Sequence, residues 1–351
     1  MVRRLTFDDG ISWVARVRLP PEATPAPLDW YDSRRAFEVE VASMKFFKSK
    51  STVPVPELFA YDANSSNEVG VCWMLMEYIH GTTAAELQII KDSEPAIYGS
   101  IEQDRKLRDQ MAKIQAEVLS FKFQDIGSLY YSEDTSSFFI GPDVETGKGP
   151  WKLSTDYYYD LADNLLKNTA ARCSEKAKNS PSFILPTLLN HLLGIHSEER
   201  AGPFRLVNAD FGAHNILVDD DFNVVGIVDF DGVRAAPLEA AAQFPVLSCM
   251  GLEPPGHVDP RPAVQERIKR SKPQIDRYKE FLIKHEAELG DGSAPVGHRL
   301  GSTSALIYKA FQNYSMLSTS SYEKWFEFAL KVTRDYADGL EASEGQVQLA
   351  E

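Results

Sequence analysis

The sequence predicts an α+β protein made of a small sheet-rich lobe followed by a larger helical lobe. Strand-like runs surround a single helix-like segment within residues 1–79, whereas apolar side chains at helical spacing dominate residues 80–342. A chain of 351 residues is also long enough for two structural units. We therefore expect two lobes that meet after residue 79, a ligand cleft between them, and a polar, frayed tail over residues 343–351.

The first lobe is assigned from three strand-like segments and one helix-like segment. Residues 11–19 alternate apolar and polar side chains, which is the period of a half-buried strand. Residues 33–49 repeat apolar side chains at helical spacing after Ser33, which we predict to be the N-cap. Residues 54–62 indicate another strand. The unbroken apolar run over residues 69–79 predicts a strand that is buried on both faces.

The second lobe is predicted to be mostly helical. Leu107, Met111, Ile114 and Val118 recur on one face of a helix that ends near residue 121. The other predicted elements are a two-stranded hairpin over residues 127–142, helices over 154–176 and 182–199, strands over 216–218 and 224–229, and three helical segments over 261–340.

Composition excludes some classes of function. The formal net charge of −14 disfavours nucleic-acid binding, which depends on Lys and Arg to neutralise phosphates, and is compatible with a cationic substrate. Cys72, Cys173 and Cys249 are far apart and odd in number, which favours reduced thiols. The N-terminus does not resemble a signal peptide, and no apolar run reaches the ~20 residues that span a bilayer. We expect a cytoplasmic protein with neither nucleic-acid nor membrane partners.

Residues 206–232 place an Asp, an Asn and a second Asp in one short span. Asp210 and Asn215 share a loop before one strand, and Asp229 ends the strand that returns to the same place. Phosphoryl transfer needs a group that orients the attacking hydroxyl, ligands for Mg²⁺ and cations on the phosphates. Mg²⁺ prefers hard oxygen ligands such as these carboxylate and amide groups. The turn between the strands, at residues 219–221, is predicted to be structural because aspartates favour turns.

The segments "NADFGAHNILVD" and "GIVDFDG" resemble the aminoglycoside phosphotransferase family, also called the phosphotransferase enzyme family, which has a bilobal protein-kinase-like fold. The catalytic loop of that family reads roughly H-x-D-x-x-x-x-N, and D-[WF]-[ED] follows on the next strand. The segments "WVARV", "WMLMEYIHGTT" and "IGSLYYSEDTSSFFIGP" are similar to corresponding segments of its fungal members. The resemblance implies a phosphotransferase that uses Mg²⁺ and ATP.

The resemblance also implies roles for individual residues. It makes Asp210 the catalytic base and makes Asn215 and Asp229 the Mg²⁺ ligands. Glu40 matches the helix Glu that pairs with a strand cation, and Glu38 cannot share that role because it lies on another face of the helix. The linker formed by Met76, Glu77, Tyr78 and Ile79 resembles the hinge whose backbone holds the adenine of the nucleotide.

Three positions depart from the family pattern. Arg16, with Arg18 on the same strand face, replaces the Lys that binds phosphates, and its planar fork is not equivalent to an ammonium group. Asn208 replaces the His of the catalytic loop but can still hydrogen-bond to backbone. Only ten residues precede the strand that begins near residue 11. We therefore expect a shortened nucleotide-binding lobe in which the preceding strand and phosphate loop are missing and only Gly10 remains.

These observations lead to two hypotheses. The first is an ATP-dependent kinase that moves the γ-phosphate to a hydroxyl of a small molecule, with cationic acceptors among those allowed. The alternative is a nucleotide-binding pseudokinase that acts as an interaction scaffold and is weak or inactive in catalysis. A protein kinase is disfavoured because no Ala-Pro-Glu segment follows Asp229. His214 lies inside the catalytic loop, where it either touches substrate or packs the loop.

Overall fold

The chain begins with a four-stranded antiparallel sheet. The computed structural model describes residues 1–18, 32–94, 96–172, 181–197, 199–247, 253–290, 295–314 and 319–348. The strands are β1 (Val2–Thr6), β2 (Ser12–Arg18), β3 (Leu58–Asp62) and β4 (Cys72–Glu77), in the order β1-β2-β4-β3. One helix, α1 (Ser33–Lys50), lies between β2 and β3 in the chain. A sheet with one inserted helix therefore forms the first part of the protein, as predicted.

The strand β1 corrects the prediction that no strand precedes β2. It pairs along its whole length with β2, from Val2 opposite Arg16 to Thr6 opposite Ser12. The connecting turn holds Gly10 at φ +84°, a conformation that glycine adopts at little cost. We missed β1 because all five of its residues are exposed, so its sequence carries no alternation of buried and exposed positions.

Two further details of the first part differ from expectation. The N-cap of α1 is Asp32 rather than Ser33, because the carboxylate of Asp32 accepts hydrogen bonds from the first free amides of the helix. The strand β4 is shorter than the predicted run and is buried on one face only. Cys72, Met74 and Met76 face the core, whereas the residues between them are only partly buried. Cys72 is a free thiol, and residues 173 and 249 lie outside the described part of the chain.

Helices dominate the rest of the chain. They are α2 (Ala84–Ile90), α3 (Ile101–Ser120), α4 (Ser154–Arg172), α5 (Pro181–His196), α6 (Leu238–Ala241), α7 (Pro262–Leu289), α8 (Thr303–Gln312) and α9 (Thr319–Gln348). The helix α9 continues to Gln348, within the segment that we predicted to be a polar tail. No helix within the described ranges is both long enough and apolar enough to cross a membrane.

Two small sheets accompany these helices. The first joins β5 (Thr82–Thr83), β10 (Ile216–Val218) and β11 (Val224–Ile227) in the order β11-β10-β5. The second has five strands in the order β6-β9-β12-β7-β8, namely β6 (Lys122–Phe123), β7 (Gly127–Ser132), β8 (Ser137–Gly141), β9 (Phe204–Asn208) and β12 (Val233–Ala236). We predicted only the β7–β8 hairpin of this second sheet. The helices and sheets together confirm the predicted α+β class.

The pairing of β9 with β12 positions the candidate site. Val233, the first residue of β12, lies opposite Asn208, the last residue of β9. The loop that follows β9 and the segment that precedes β12 therefore meet at one edge of the sheet. Phe230 in that segment is buried and packs against Phe47 of α1, with 5.5 Å between the ring centroids. This contact anchors the segment to the helix that carries Glu40.

Candidate active site

The loop between β9 and β10 presents Asp210. The backbone N–H of Asp210 donates to Oδ1 of Asn208 at 3.1 Å, and the N–H of Ala209 donates to the carbonyl of Gly232 at 3.2 Å. The first bond is a local side-chain-to-backbone contact of the kind that shapes turns. Asn208, the residue that departs from the family pattern, therefore still fixes the backbone at Asp210.

Asn215 holds Asp210 from the other end of the loop. Its side-chain amide donates to the carbonyl and to Oδ2 of Asp210, both at 3.0 Å. Its own carbonyl accepts from the N–H of Val228 at 3.0 Å, which ties the loop to the end of β11. Because the amide nitrogen of Asn215 points at Asp210, its amide oxygen is the atom left to bind a metal ion.

The carboxylate of Asp210 is held on both oxygens and remains accessible. Nε2 of His214 lies 3.1 Å from Oδ1 of Asp210, while Oδ2 accepts from Asn215. The Asp210 side chain is still 55% exposed. His214 thus contacts the carboxylate directly. A carboxylate that is fixed in direction but open to solvent can accept a hydrogen bond from an incoming hydroxyl.

A second cluster joins β2, α1 and the segment before β12. Nη2 of Arg16 lies 2.9 Å from Oδ1 of Asp229 and 3.1 Å from Oε1 of Glu40. Arg18 lies on the same strand face, with its Nη1 3.4 Å from Oε2 of Glu40, and its Nη2 pairs with Asp231. Five charged residues that are distant in sequence are therefore brought together. Glu38 is not among them and instead contacts Arg34 at 2.8 Å, on an exposed face of α1.

Asp231 is a residue of this cluster to which we gave no role. The signal was present in the sequence, because Asp231 stands two residues after Asp229 and at the acidic third position of the D-[WF]-[ED] pattern. Its partner Arg18 was identified, but the ion pair depends on tertiary contact between β2 and the segment before β12.

Burial shapes the charges of the cluster. Glu40 is only 2% exposed, and this burial raises the pKa of Glu40 to about 7 although Arg16 and Arg18 lower it. Burial also raises the pKa of Asp229, and the hydrogen bond with Asp231 adds to that effect. Asp229 adopts φ +66°, a left-handed conformation that is uncommon for residues other than glycine. The loop therefore holds the backbone of Asp229 in a conformation that most residues avoid.

The donor atoms at the cluster fit a magnesium ion. Carboxylate oxygens of Glu40, Asp229 and Asp231 all lie within 4.8 Å of one another. They are hard oxygen donors, as is the amide oxygen of Asn215, and Mg²⁺ is bound in proteins through one or two such carboxylates. Glu40 is only 2% exposed, whereas the side chains of Asp229 and Asp231 are 35% and 34% exposed, so the two aspartates are the carboxylates that a metal ion can reach.

The predicted hinge follows the end of β4. Met76 is buried, and the N–H of Glu77 donates to the carbonyl of Glu57 at 2.8 Å. The guanidinium of Arg4 lies 4.2 Å from the centre of the Tyr78 ring. Ile79 packs so closely on Gly226 that a Cβ at that glycine would lie 2.7 Å from its Cδ1 atom. The segment is held firmly, and adenine binding by it stays a prediction.

A cavity of about 610 Å³ opens beside Asp210. Its walls come mainly from α3, the loop after β9, residues 240–247 and α8. Most of the lining side chains are apolar, including Val118, Leu119, Phe211 and Phe244. The volume lies within the range of small-molecule sites. Asp210 therefore forms part of the wall of a cavity that could hold a small molecule.

Several fungal proteins are similar in sequence to this chain. One is altered inheritance of mitochondria protein 9, mitochondrial, of Candida dubliniensis, which is 27% identical over 222 residues that cover 61% of this chain and 34% of the relative. Another is a subtelomeric hrmA-associated cluster protein of Aspergillus fumigatus, which is 30% identical over 274 residues covering 59% of this chain and 52% of the relative. The chain thus spans about a third to a half of the length of these relatives.

These names contradict one expectation. We predicted a cytoplasmic protein, but relatives from Candida, Komagataella and Saccharomyces are named as mitochondrial proteins. The prediction was wrong because it rested on cysteine number and hydropathy, which do not identify a cellular compartment.

Solved structures with a similar fold of the chain include two phosphotransferases. Macrolide 2'-phosphotransferase type I aligns with 93% of this chain and 85% of its own, at 13% identity and a TM-score of 0.47. The ADP-bound aminoglycoside phosphotransferase APH(2'')-Ib aligns with 94% and 92%, at 12% identity and a TM-score of 0.48.

The family itself is established by a match over most of the chain. The model of the phosphotransferase enzyme family covers residues 2–240, which include the four-stranded sheet, Asp210, Asn215 and Asp229. This match confirms the resemblance that the catalytic-loop motif indicated. The chain therefore belongs to the phosphotransferase enzyme family.

Proposed function

We propose that this phosphotransferase moves the γ-phosphate of ATP to a hydroxyl of a small molecule. The observation that carries the proposal is the setting of Asp210, whose carboxylate is held by Asn215 and His214, is exposed, and borders a cavity of small-molecule size. The acceptor would enter the cavity with its hydroxyl at Asp210. The nucleotide would lie on the opposite side, near the charged cluster.

Asp210 would act mainly by orientation. Its carboxylate accepts the hydrogen bond of the acceptor hydroxyl and aims the hydroxyl oxygen at the γ-phosphate. It takes up the proton as the new O–P bond forms, while the bond from the γ-phosphorus to the β,γ-bridging oxygen breaks and ADP leaves. Asn215 and His214 keep both carboxylate oxygens in place for this step. A positioned general base contributes roughly 10²- to 10⁴-fold to a rate. Most of the remaining effect in phosphoryl transfer comes from positioning and charge stabilisation.

Arg16 and its partners would serve the phosphate side. Asp229 and the amide oxygen of Asn215 would hold Mg²⁺, which when bound neutralises charge on the phosphates, and Asp231 is an additional carboxylate beside them. Arg16 is braced by Glu40 at 3.1 Å and would contact the nucleotide phosphates. The adenine would bind at Met76, Glu77, Tyr78 and Ile79.

Replacement of the base tests the proposal. Asp210→Asn keeps the size of the side chain but removes its basicity, so transfer of labelled γ-phosphate from ATP to a panel of alcohols should fall by roughly 10²- to 10⁴-fold. Asp221→Asn makes the same change at an exposed aspartate of the β10–β11 turn and should leave transfer unchanged. Equal transfer by Asp210→Asn and the unaltered protein would rule out Asp210 as the base.

A scaffold without catalytic activity is the second candidate, and one contact favours it. Arg16 lies on Asp229, so a carboxylate proposed to bind metal is already neutralised by a cation of the protein. Thermal-shift measurements with Mg-ATP and turnover measurements separate the two functions. Stabilisation by Mg-ATP with no turnover on any alcohol would favour the scaffold, whereas transfer lost in Asp210→Asn would exclude it.

A further inference from the structure

The side chains that line the cavity beside Asp210 indicate which kind of acceptor would fit it. Asp210 is the only carboxylate among the described residues that line it. The proposed function assigns that carboxylate to the acceptor hydroxyl, so it is not free to neutralise a cationic group elsewhere on the same molecule. The net charge of −14 is therefore carried by other parts of the protein and does not extend into this cavity.

The cationic side chains of the cavity wall support the same conclusion. The charged residues that line the described cavity besides Asp210 are Arg234 and Lys309, so its described wall offers no further carboxylate to an ammonium group. Nη1 of Arg234 lies 2.8 Å from Oε2 of Glu145 and 3.5 Å from Oδ1 of Asp143, and both carboxylates stand outside the cavity lining. These two carboxylates therefore neutralise the charge of Arg234 from outside the cavity. Arg234 is then expected to attract an anionic acceptor only weakly.

Arg234 adds no accessible donor through its Nε atom. The residue is 7% exposed, and its Nε atom, which has no hydrogen-bond partner in the described structure, is itself buried and is out of reach of a ligand in the cavity. The rest of the wall is formed mainly by aliphatic and aromatic side chains, which favour an apolar ligand surface.

From these walls we infer that the acceptor is an alcohol with an uncharged, largely apolar body. The inference rests on the proposed function, because it places the acceptor hydroxyl at Asp210. A polycationic acceptor would have to bury ammonium groups that find no carboxylate partner among the described lining residues beyond Asp210, which is strongly unfavourable. An alcohol with an apolar body would instead match the aliphatic and aromatic side chains of the walls.

Matched acceptors test this class directly. Phenylhexanol and aminohexanol, each supplied with saturating Mg-ATP, differ mainly in an apolar and an ammonium end, and kanamycin serves as a polycation. We expect kcat/KM for phenylhexanol to exceed that for aminohexanol by at least roughly tenfold, which corresponds to about 1.4 kcal/mol. Preferential transfer to aminohexanol or kanamycin would overturn the inference while leaving the phosphotransferase function in place.

A charge added to the wall provides a second test. Val246 lines the cavity and is 59% exposed, and its backbone N–H donates to the carbonyl of Phe211 next to Asp210. Val246→Asp should therefore fold and should shift selectivity towards aminohexanol by roughly three- to tenfold. Val69→Asp adds the same charge at an exposed position between β3 and β4 and should not change selectivity. Equal selectivity in the two variants would contradict the assignment of the cavity as the acceptor site.

Binding separates failure of the inference from failure of the proposed function. Calorimetry with phenylhexanol on Asp210→Asn measures occupation of the cavity without transfer. Binding there, together with no transfer by the unaltered protein, would retain the ligand class and reject the phosphotransferase function. Absence of binding to both Asp210→Asn and the unaltered protein would reject the ligand class.

Discussion

Nη2 of Arg16 lies 2.9 Å from Oδ1 of Asp229, so two residues with different proposed partners contact each other directly. Arg16 is proposed to bind phosphate and Asp229 to bind a metal ion. The two charges neutralise one another, and Glu40 adds a second carboxylate at 3.1 Å. Binding of Mg-ATP must therefore compete with an internal ion pair.

Replacement of Arg16 should change metal and nucleotide binding in opposite directions. In Arg16→Gln, Asp229 loses the cation that competes with a metal ion, so Mg²⁺ alone should bind roughly five- to tenfold more tightly, about 1 kcal/mol. ATP should bind more weakly because its phosphates lose a positive partner. Calorimetric titration with Mg²⁺ and then with Mg-ATP measures both effects.

Arg18→Gln is the control for that experiment. Arg18 pairs with Glu40 and Asp231 and lies on the same strand face. Its removal should leave the ion pair between Arg16 and Asp229 in place and should change Mg²⁺ affinity less. If Arg16→Gln bound Mg²⁺ no better than Arg18→Gln did, the contact with Asp229 would not oppose metal binding.

Asn208 should matter for activity through the backbone of the catalytic loop. Its Oδ1 accepts the N–H of Asp210, so Asn208→Ala removes one hydrogen bond, a change of about 1 kcal/mol, and leaves Asp210 less well oriented. We expect transfer to fall by roughly tenfold or more. Asn64→Ala removes the same kind of contact, to the N–H of Ser66 at 2.9 Å, in a turn after β3. It should lower stability similarly while transfer stays unchanged.

An equal loss of transfer in both Asn variants would mean that the effect comes from stability alone. Phosphate transfer and thermal unfolding, measured on the same samples, distinguish these outcomes. Asn208→His restores the residue of the family motif and tests whether that residue serves the same purpose in this loop.

Much of the candidate site could be predicted because its signals are local. Asp210, Asn215 and Asp229 share one hairpin, and the alternating strand places Arg16 and Arg18 on one face. The long-range pairs could not be found in this way. The contact of Arg18 with Asp231, and the pairing of β9 with β12, join segments whose own residues do not specify a partner.

The cavity could be predicted from the sequence even less well than these long-range contacts. Its walls come from α3, from the loop after β9 and from α8, and each of these segments is an ordinary amphipathic helix or loop by its own sequence. The unsatisfied Nε of Arg234 is visible only once β12 is placed within the five-stranded sheet. Apolar walls around Asp210 are therefore a property of packing, and the acidic composition pointed to a different kind of acceptor.

The turn between β10 and β11 should contribute to stability and not to chemistry. The carboxylate of Asp219 accepts the N–H of Asp221 at 3.0 Å, the N–H of Asn223 at 2.8 Å and the amide of Asn223 at 2.7 Å. Asp219→Ala should lower the free energy of unfolding by roughly 1–2 kcal/mol. Asp220→Ala should cost less, because Asp220 uses its backbone carbonyl to bind Lys91. Urea denaturation measures both, and equal losses would contradict the special role of Asp219.

Glu40 should make stability depend on pH near neutrality. Burial raises the pKa of Glu40 from 4.5 to about 7, so between these values the native protein keeps a proton that the unfolded chain has released. The native state then binds more protons than the unfolded state, and the free energy of unfolding falls as pH rises through this window. At about 1.4 kcal/mol for each pKa unit, the rise of about 2.5 units, from 4.5 to about 7, limits the loss to roughly 3.5 kcal/mol.

Glu40→Gln isolates this contribution because glutamine cannot titrate. Urea denaturation at about pH 5 and about pH 8 should show a smaller loss of stability with rising pH in Glu40→Gln than in the unaltered protein. Glu38→Gln is the matched control, since Glu38 lies two residues earlier on α1 and forms an exposed contact with Arg34. That variant should keep the full pH dependence. The same slope in Glu40→Gln as in the unaltered protein would mean that Glu40 is already ionised below neutral pH, with Arg16 and Arg18 outweighing its burial.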